Sequence, residues 1–225
     1  MATVALRLGR RLKRAAFLTE TPREVTFVAL DIAGFGRRNS GEQARLRQRL
    51  FAAVKVIRHG LGNLISYDVL DRGDGVLVLL PGAADTIRLL GESLPDLANR
   101  ISVENRELNS DKMILRCVIH KGQAQRDRWG WVGEDVNLVF RLLDSRTLKL
   151  RLLHRDQRSP LTVALSEAIY RDACDQAKDE QALHNCIKSN WHEALTRHTV
   201  RAKEVEQNAW TASVGVPRSD TSPAM

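Results

Sequence analysis

Apolar and β-branched residues fill Val25 to Ile32 in "REVTFVALDIAGF", interrupted only by Asp31 near the end. That pattern predicts a strand buried on both faces, stopped by Ala33-Gly34. In "SGEQARLRQRLFAAVKVIRHGLG" the residues Leu46, Leu50, Ala53, Val54 and Ile57 recur at helical spacing. Ser40 with Gln43 three residues later predicts the cap of this amphipathic helix, and Gly60 and Gly62 predict its end. "YDVLDRGDGVLVLLPG" reads as a hairpin turning at Gly73-Asp74-Gly75, and residues 84 to 109 as a second helix that Pro95 starts or kinks. "DKMILRCVIHKGQAQ" alternates as a strand, and "WGWVGEDVNLVFRLLDSR" passes from a Gly-rich loop into a helix beginning near Gly133. "SPLTVALSEAIYRDA" predicts a short strand running into a helix, and "HTVRAKEVEQNAWTASV" a last hairpin or edge pair. The order β, α, ββ, α, β, α, β, α, β predicts an α/β chain, an α+β sandwich with helices packed on a mixed sheet.

Composition adds limits. A chain of 225 residues with 43% hydrophobic content supports one well-buried core. The expected division is a basic leader at 1–22, one domain at 23–214 and a flexible tail at 215–225. No run of eighteen apolar residues occurs, and the N-terminus lacks an apolar signal region despite Arg10-Arg11, so no transmembrane segment and a cytoplasmic location are expected. Cys117, Cys174 and Cys186 are widely spaced, which excludes a CxxC zinc site and leaves reduced thiols as the expectation. The 35 Lys+Arg against 27 Asp+Glu give a net charge of +8, which favours anionic partners. No helix-turn-helix, aromatic RNA-binding motif or zinc finger accompanies the charge, so no specific nucleic-acid partner is expected. Arg7, Arg10, Arg11, Lys13 and Arg14 concentrate part of it in "LRLGRRLKRAAFL", read either as a solvated leader or as a short amphipathic helix for a membrane surface.

The candidate chemistry starts with a carboxylate at a hairpin tip. Asp-Gly is ordinary turn chemistry, so Asp74 alone carries little. Asp31 changes this, because it ends the strand beside which the hairpin must pair. Two carboxylates from adjacent strand ends suit a hard cation, which binds through one or two carboxylates together with substrate phosphates. Gly34 and Phe35 in the turn "IAGFG" add backbone N–H groups that can cradle phosphate.

With these residues in place, the sequence resembles the class III nucleotidyl cyclases, the adenylate and guanylate cyclase catalytic domain, over roughly residues 24 to 214. "LDIAGF" is similar to that family's first metal motif, "RGDG" to its second, and "VGEDVNLVFRLLD" to its third, with Gly133, Val136, Asn137 and Arg141 in matching positions. The resemblance implies a ferredoxin-like cyclase core with a largely antiparallel sheet. It implies two Mg2+ or Mn2+ ions per site held by Asp31 and Asp74, with Asn137 orienting the ribose and Arg141 stabilising transition-state charge. It also implies a nucleoside triphosphate substrate, a 3′,5′-cyclic monophosphate product, and a homodimer in which each site draws on both subunits.

The departures concern the base. Where adenylate and guanylate cyclases carry their base-selecting side chains, this sequence has Leu70 and Gly130. Neither reads a purine edge by hydrogen bonding; Asp71, Arg72 or Trp131 would do so only with a shifted register. Trp129 and Trp131 either narrow the base pocket or pack against the sheet. The pattern is similar to the pyrimidine cyclases of bacterial Pycsar anti-phage defence. This implies UTP as the favoured substrate and a downstream cyclic-nucleotide effector protein as partner. The alternatives are a purine cyclase in ordinary signalling and a non-catalytic nucleotide-binding homologue. A triphosphate-gripping cation is expected late in the chain, at Arg201 or Lys203.

Overall fold

The computed structural model describes residues 21–62, 67–108, 112–154, 159–188, 191, 193–202 and 205–215. The leader up to residue 20, the end of the tail and Lys203 lie outside the described residues. Seven strands form one sheet in the order β2-β3-β1-β4-β6-β8-β7. They are β1 (Arg23–Ile32), β2 (Asp68–Asp71), β3 (Gly75–Pro81), β4 (Leu115–Arg126), β6 (Leu161–Ser166), β7 (Thr196–Ala202) and β8 (Val205–Val214). A short β5 (Trp131–Val132) pairs with the far end of β4. Among the described residues only β4 and β6 run parallel; every other pairing there is antiparallel. The expected mixed, largely antiparallel sheet is therefore present.

Side-chain alternation sends the two faces of the sheet into separate cores. Val28, Leu30 and Ile32 of β1 join the larger one. It is covered by α1 (Ser40–Gly60), α3 (Leu94–Arg106), α6 (Glu167–Ala177) and α7 (Glu180–Lys188). Val25, Phe27 and Ala29 face the smaller core with α4 (Glu134–Leu143) and α5 (Arg146–His154). The uninterrupted apolar run of β1 follows from this double coverage. Asp31 continues the Val25, Phe27, Ala29 row, so it lies on the α4 face where that row reaches the strand end.

Local chemistry explains most boundaries and a few departures. The five apolar residues predicted for α1 are its five buried ones. Its cap, however, is Asn39, whose side chain accepts from the Glu42 N–H while Glu42 returns a bond to the Asn39 N–H, so the box sits one residue earlier than Ser40/Gln43. The predicted 84–109 helix is α2 (Thr86–Arg88), a π-turn at Leu89–Ser93, and α3 with Pro95 in its first turn, where the missing N–H costs nothing. The Gly-rich segment read as a loop contributes β5, and α5 and α7 were not distinguished in the sequence pattern at all. The three cysteines are free thiols, and among the described residues no helix is long and apolar enough to cross a membrane.

Candidate active site

Asp31 pairs in register with Gly75 on one side and Arg116 on the other. The hairpin that carries Asp74 closes on this position, with the Ile32 N–H donating to the Asp74 carbonyl at 2.9 Å. Gly75 permits the approach: a Cβ there would lie 2.5 Å from the Leu30 carbonyl oxygen. Gly73, at φ +87°, takes the left-handed turn position. The turn's own carboxylate is Asp71, which accepts from the Gly73 N–H at 2.8 Å. Asp74 accepts no hydrogen bond from any described residue through its side chain. Ordinary turn chemistry thus accounts for Asp71 and leaves the Asp74 carboxylate available.

Asp71 is also gripped from α1. Arg47 forks onto both of its oxygens, at 3.0 and 2.5 Å, and donates to the Gly73 carbonyl as well. The guanidinium and the Gly73 amide hold the Asp71 carboxyl down to about 2, below the ordinary aspartate value of 3.8. This clamp fixes the turn that presents Asp74, and it went unnoticed in the sequence because Arg47 and Asp71 are 24 residues apart.

Asp31, Arg72, Asp74, Arg116, Phe140 and Asp144 surround a cavity of about 210 Å³ at the strand ends. Asp31 is 8% exposed, and Arg116 donates to its Oδ2 from Nε at 2.9 Å and from Nη2. Arg116 also reaches the Leu143 carbonyl at 3.3 Å, linking the site to the end of α4. Burial pushes the Asp31 carboxyl above the aspartate range despite the Arg116 guanidinium, and the Asp74 and Asp144 charges add to the push. Arg72 lies over the Phe140 ring at 4.3 Å on the opposite wall. Among the described residues no group of three or more His, Cys, Asp and Glu forms a self-sufficient metal cage. The donor set instead suits a hard cation completed by phosphate oxygens: the Asp74 charge adds to the cost of ionising Asp31, which a cation relieves.

The third motif is placed differently. Asn137 is exposed and Arg141 half-buried on α4, and neither lines the cavity that Phe140, Leu143 and Asp144 of the same helix region wall. Within one chain the two halves of the predicted site are not brought together. Gly34, at φ +71°, caps the 3-10 turn after β1, and Phe35 packs against the larger core. Leu70 and Gly130 do meet: a Cβ on Gly130 would stand 3.8 Å from Leu70 Cδ2. Trp131 packs, 7% exposed, with Nε1 donating to Asp68 and Arg23 over its ring, whereas Trp129 is 78% exposed. Arg201 enters β7 opposite Glu206 through its backbone; its side chain, like Lys203, lies outside the described residues.

No family model and no curated protein matches the sequence. Solved structures do resemble the fold. The guanylyl cyclase Cya2 is 17% identical, with a TM-score of 0.56 over 92% of this chain and 99% of its own. The adenylyl cyclase CyaB from P. aeruginosa is 16% identical, with a TM-score of 0.53 over 90% and 98%. An adenylate/guanylate cyclase/hydrolase from Silicibacter pomeroyi is 16% identical, with a TM-score of 0.57 over 89% and 99%. The chain has the fold of class III cyclase catalytic domains.

Proposed function

We propose that the protein is a metal-dependent nucleotidyl cyclase that converts a nucleoside triphosphate, UTP foremost, into its 3′,5′-cyclic monophosphate and pyrophosphate. The observation that carries this reading is the meeting of Asp31 and Asp74 in one cavity at the β1 and β3 ends, in a chain with the fold of cyclase catalytic domains. In the reaction the ribose O3′ attacks the α-phosphorus, the bond to the β-phosphate oxygen breaks, and the hydroxyl proton passes to solvent. Mg2+ or Mn2+ held by Asp31 and Asp74 would supply charge neutralisation for the triphosphate and a more acidic attacking hydroxyl. Arg72 and Arg116 bring two guanidiniums to the same cavity for phosphate oxygens. Arg141 donates to charge developing at the α-phosphate, and Asn137 orients the ribose. Their position outside the cavity supports a symmetric homodimer in which the second chain's α4 completes each site.

The base assignment rests on the proximity of Leu70 and Gly130, two positions without a hydrogen-bonding side chain. A wall without hydrogen-bonding side chains selects by size rather than by hydrogen bonds, so UTP is favoured, CTP is next and purines are poor, with modest discrimination. The product would act on a cyclic-nucleotide effector protein. A non-catalytic nucleotide-binding homologue is the second reading, favoured by the Arg116 guanidinium already seated on Asp31. Incubation with each of the four ribonucleoside triphosphates and Mn2+, followed by mass identification of products, separates the readings. Cyclic UMP is expected; conversion of ATP or GTP alone overturns the pyrimidine assignment, and no cyclic product from any of the four overturns the cyclase.

A further inference from the structure

Beneath the start of α4 runs a polar chain, buried at His120 and Ser166, that the proposed chemistry does not use. His120 of β4 is 4% exposed and stacks on Phe27 with 5.7 Å between ring centroids. Its Nδ1 lies 2.7 Å from Ser166 Oγ and its Nε2 3.1 Å from Asp135 Oδ1. The other Asp135 oxygen accepts from the Gln123 N–H at 2.6 Å. Ser166 is the N-cap of α6, its Oγ accepting from the Ile169 N–H at 3.4 Å. These partners set the direction of the chain. The Ser166 hydroxyl accepts from backbone and donates to Nδ1, and Nε2–H donates to Asp135. A neutral imidazole satisfies every group, and burial favours that form.

Ser, His and Asp are the residue types of a hydrolytic triad, but Ser166 is 1% exposed and its oxygen caps a helix, so no substrate reaches it. What the chain does reach is α4, the helix of Asn137 and Arg141. That helix has ten residues, about 15 Å at 1.5 Å per residue, too short to hold its own geometry without tertiary contacts. Its apolar stripe of Val136, Val139, Leu142 and Leu143 supplies adhesion to the sheet but little directional information. The Asp135 carboxylate, anchored at both oxygens, supplies direction at the N-terminal turn. Gly122 makes room for this: an added Cβ would overlap both Asp135 Oδ2 and His120 Nε2.

We propose that the His120–Asp135 contact, admitted by Gly122, is a positioning strut that sets the first turn of α4 against β4 and thereby aims Asn137 and Arg141. Its kinetic consequence rests on the cyclase reading; its structural consequence does not. The test compares His120→Leu, which keeps the packing, with His120→Gln, whose amide can donate to Asp135 and accept from Ser166, and with Asp135→Ala at the part-exposed helix start. Turnover by His120→Leu and Asp135→Ala is expected to fall about 10- to 100-fold with KM within about two-fold, and that of His120→Gln to stay within about three-fold of wild type. Amide hydrogen exchange over 136–141 is expected to quicken about ten-fold in the first two variants and not in His120→Gln. Unchanged exchange in Asp135→Ala overturns the strut whether or not the protein turns over. An equal loss in His120→Gln and His120→Leu also overturns it, since packing alone would then be at stake. Faster exchange in a protein that makes no cyclic nucleotide upholds the strut while the cyclase reading fails. If His120→Leu does not fold, Asp135→Ala carries both measurements.

Discussion

Asp31 and Asp74 differ in what surrounds them, and their replacements should differ accordingly. Either Asp→Asn change is expected to reduce cyclisation about 100-fold or more, because each removes a charged oxygen from the cavity. In chelator, Asp74→Asn should melt no lower than wild type, since it relieves a like charge beside Asp31 and breaks no hydrogen bond to a described residue. A lower thermal midpoint would make Asp74 a structural residue. Asp71 titrates in the opposite sense to Asp31. Its folded value of about 2 lies below the ordinary 3.8, so its ionised form binds the fold, and that stability is present above pH 4 and lost as pH falls toward 2. The stability difference between wild type and Asp71→Asn should therefore shrink across that window in acid titrations followed by denaturant melts. Because the pair is part-exposed, the difference at neutral pH should stay within about 1 kcal/mol. Asp31, raised by burial, contributes stability that is fully present below the ordinary aspartate value and is lost as pH rises through its higher folded value.

At the scale of elements, the proposed function gives α4 a role in rate rather than in binding. Arg141→Ala is expected to lower kcat far more than it raises KM, because its partner is charge that appears in the transition state. An effect confined to KM would make Arg141 a ground-state phosphate ligand. Since Arg141 does not line the cavity that holds Asp74, mixing Asp74→Asn with Arg141→Ala protein should recover part of the activity through one intact site per heterodimer. No recovery in chains shown to exchange would place both residues in a site built within one subunit. The α1 cap gives a stability check: Asn39→Ala should cost about 1 kcal/mol while Ser40→Ala costs only a few tenths, the reverse of what the Ser40/Gln43 spacing predicts.

For the whole molecule, base choice under the proposed function would depend on β2 meeting the turn before β5. Leu70→Lys is expected to shift preference toward ATP in product assays; unchanged preference would remove Leu70 from the base wall. A side chain at Gly130 is a poorer probe, because φ +153° disfavours it by about 1–3 kcal/mol before any base is bound. The alternation and periodicity of the sequence were enough to determine the strands other than β5, the long helix α1 and the placing of Asp31 and Asp74 at neighbouring strand ends, because burial face and turn position are local properties of the chain. Asp31 and Asp74 were legible as a pair since an antiparallel hairpin beside β1 admits few registers. Distance in sequence hid the rest. Arg116 on Asp31, Arg47 on Asp71 and His120 on Asp135 are partners chosen by which strands and helices come to lie side by side. No periodicity encodes that choice. The helices α5 and α7 are hard to read for a related reason, each being nine residues long with only Leu148 buried in the first and Leu183 and Ile187 in the second, too few positions to establish a period. Only the tertiary structure decided that Asn137 and Arg141 stand apart from the cavity, since the rotation of α4 on the sheet is set by the contacts of the whole fold.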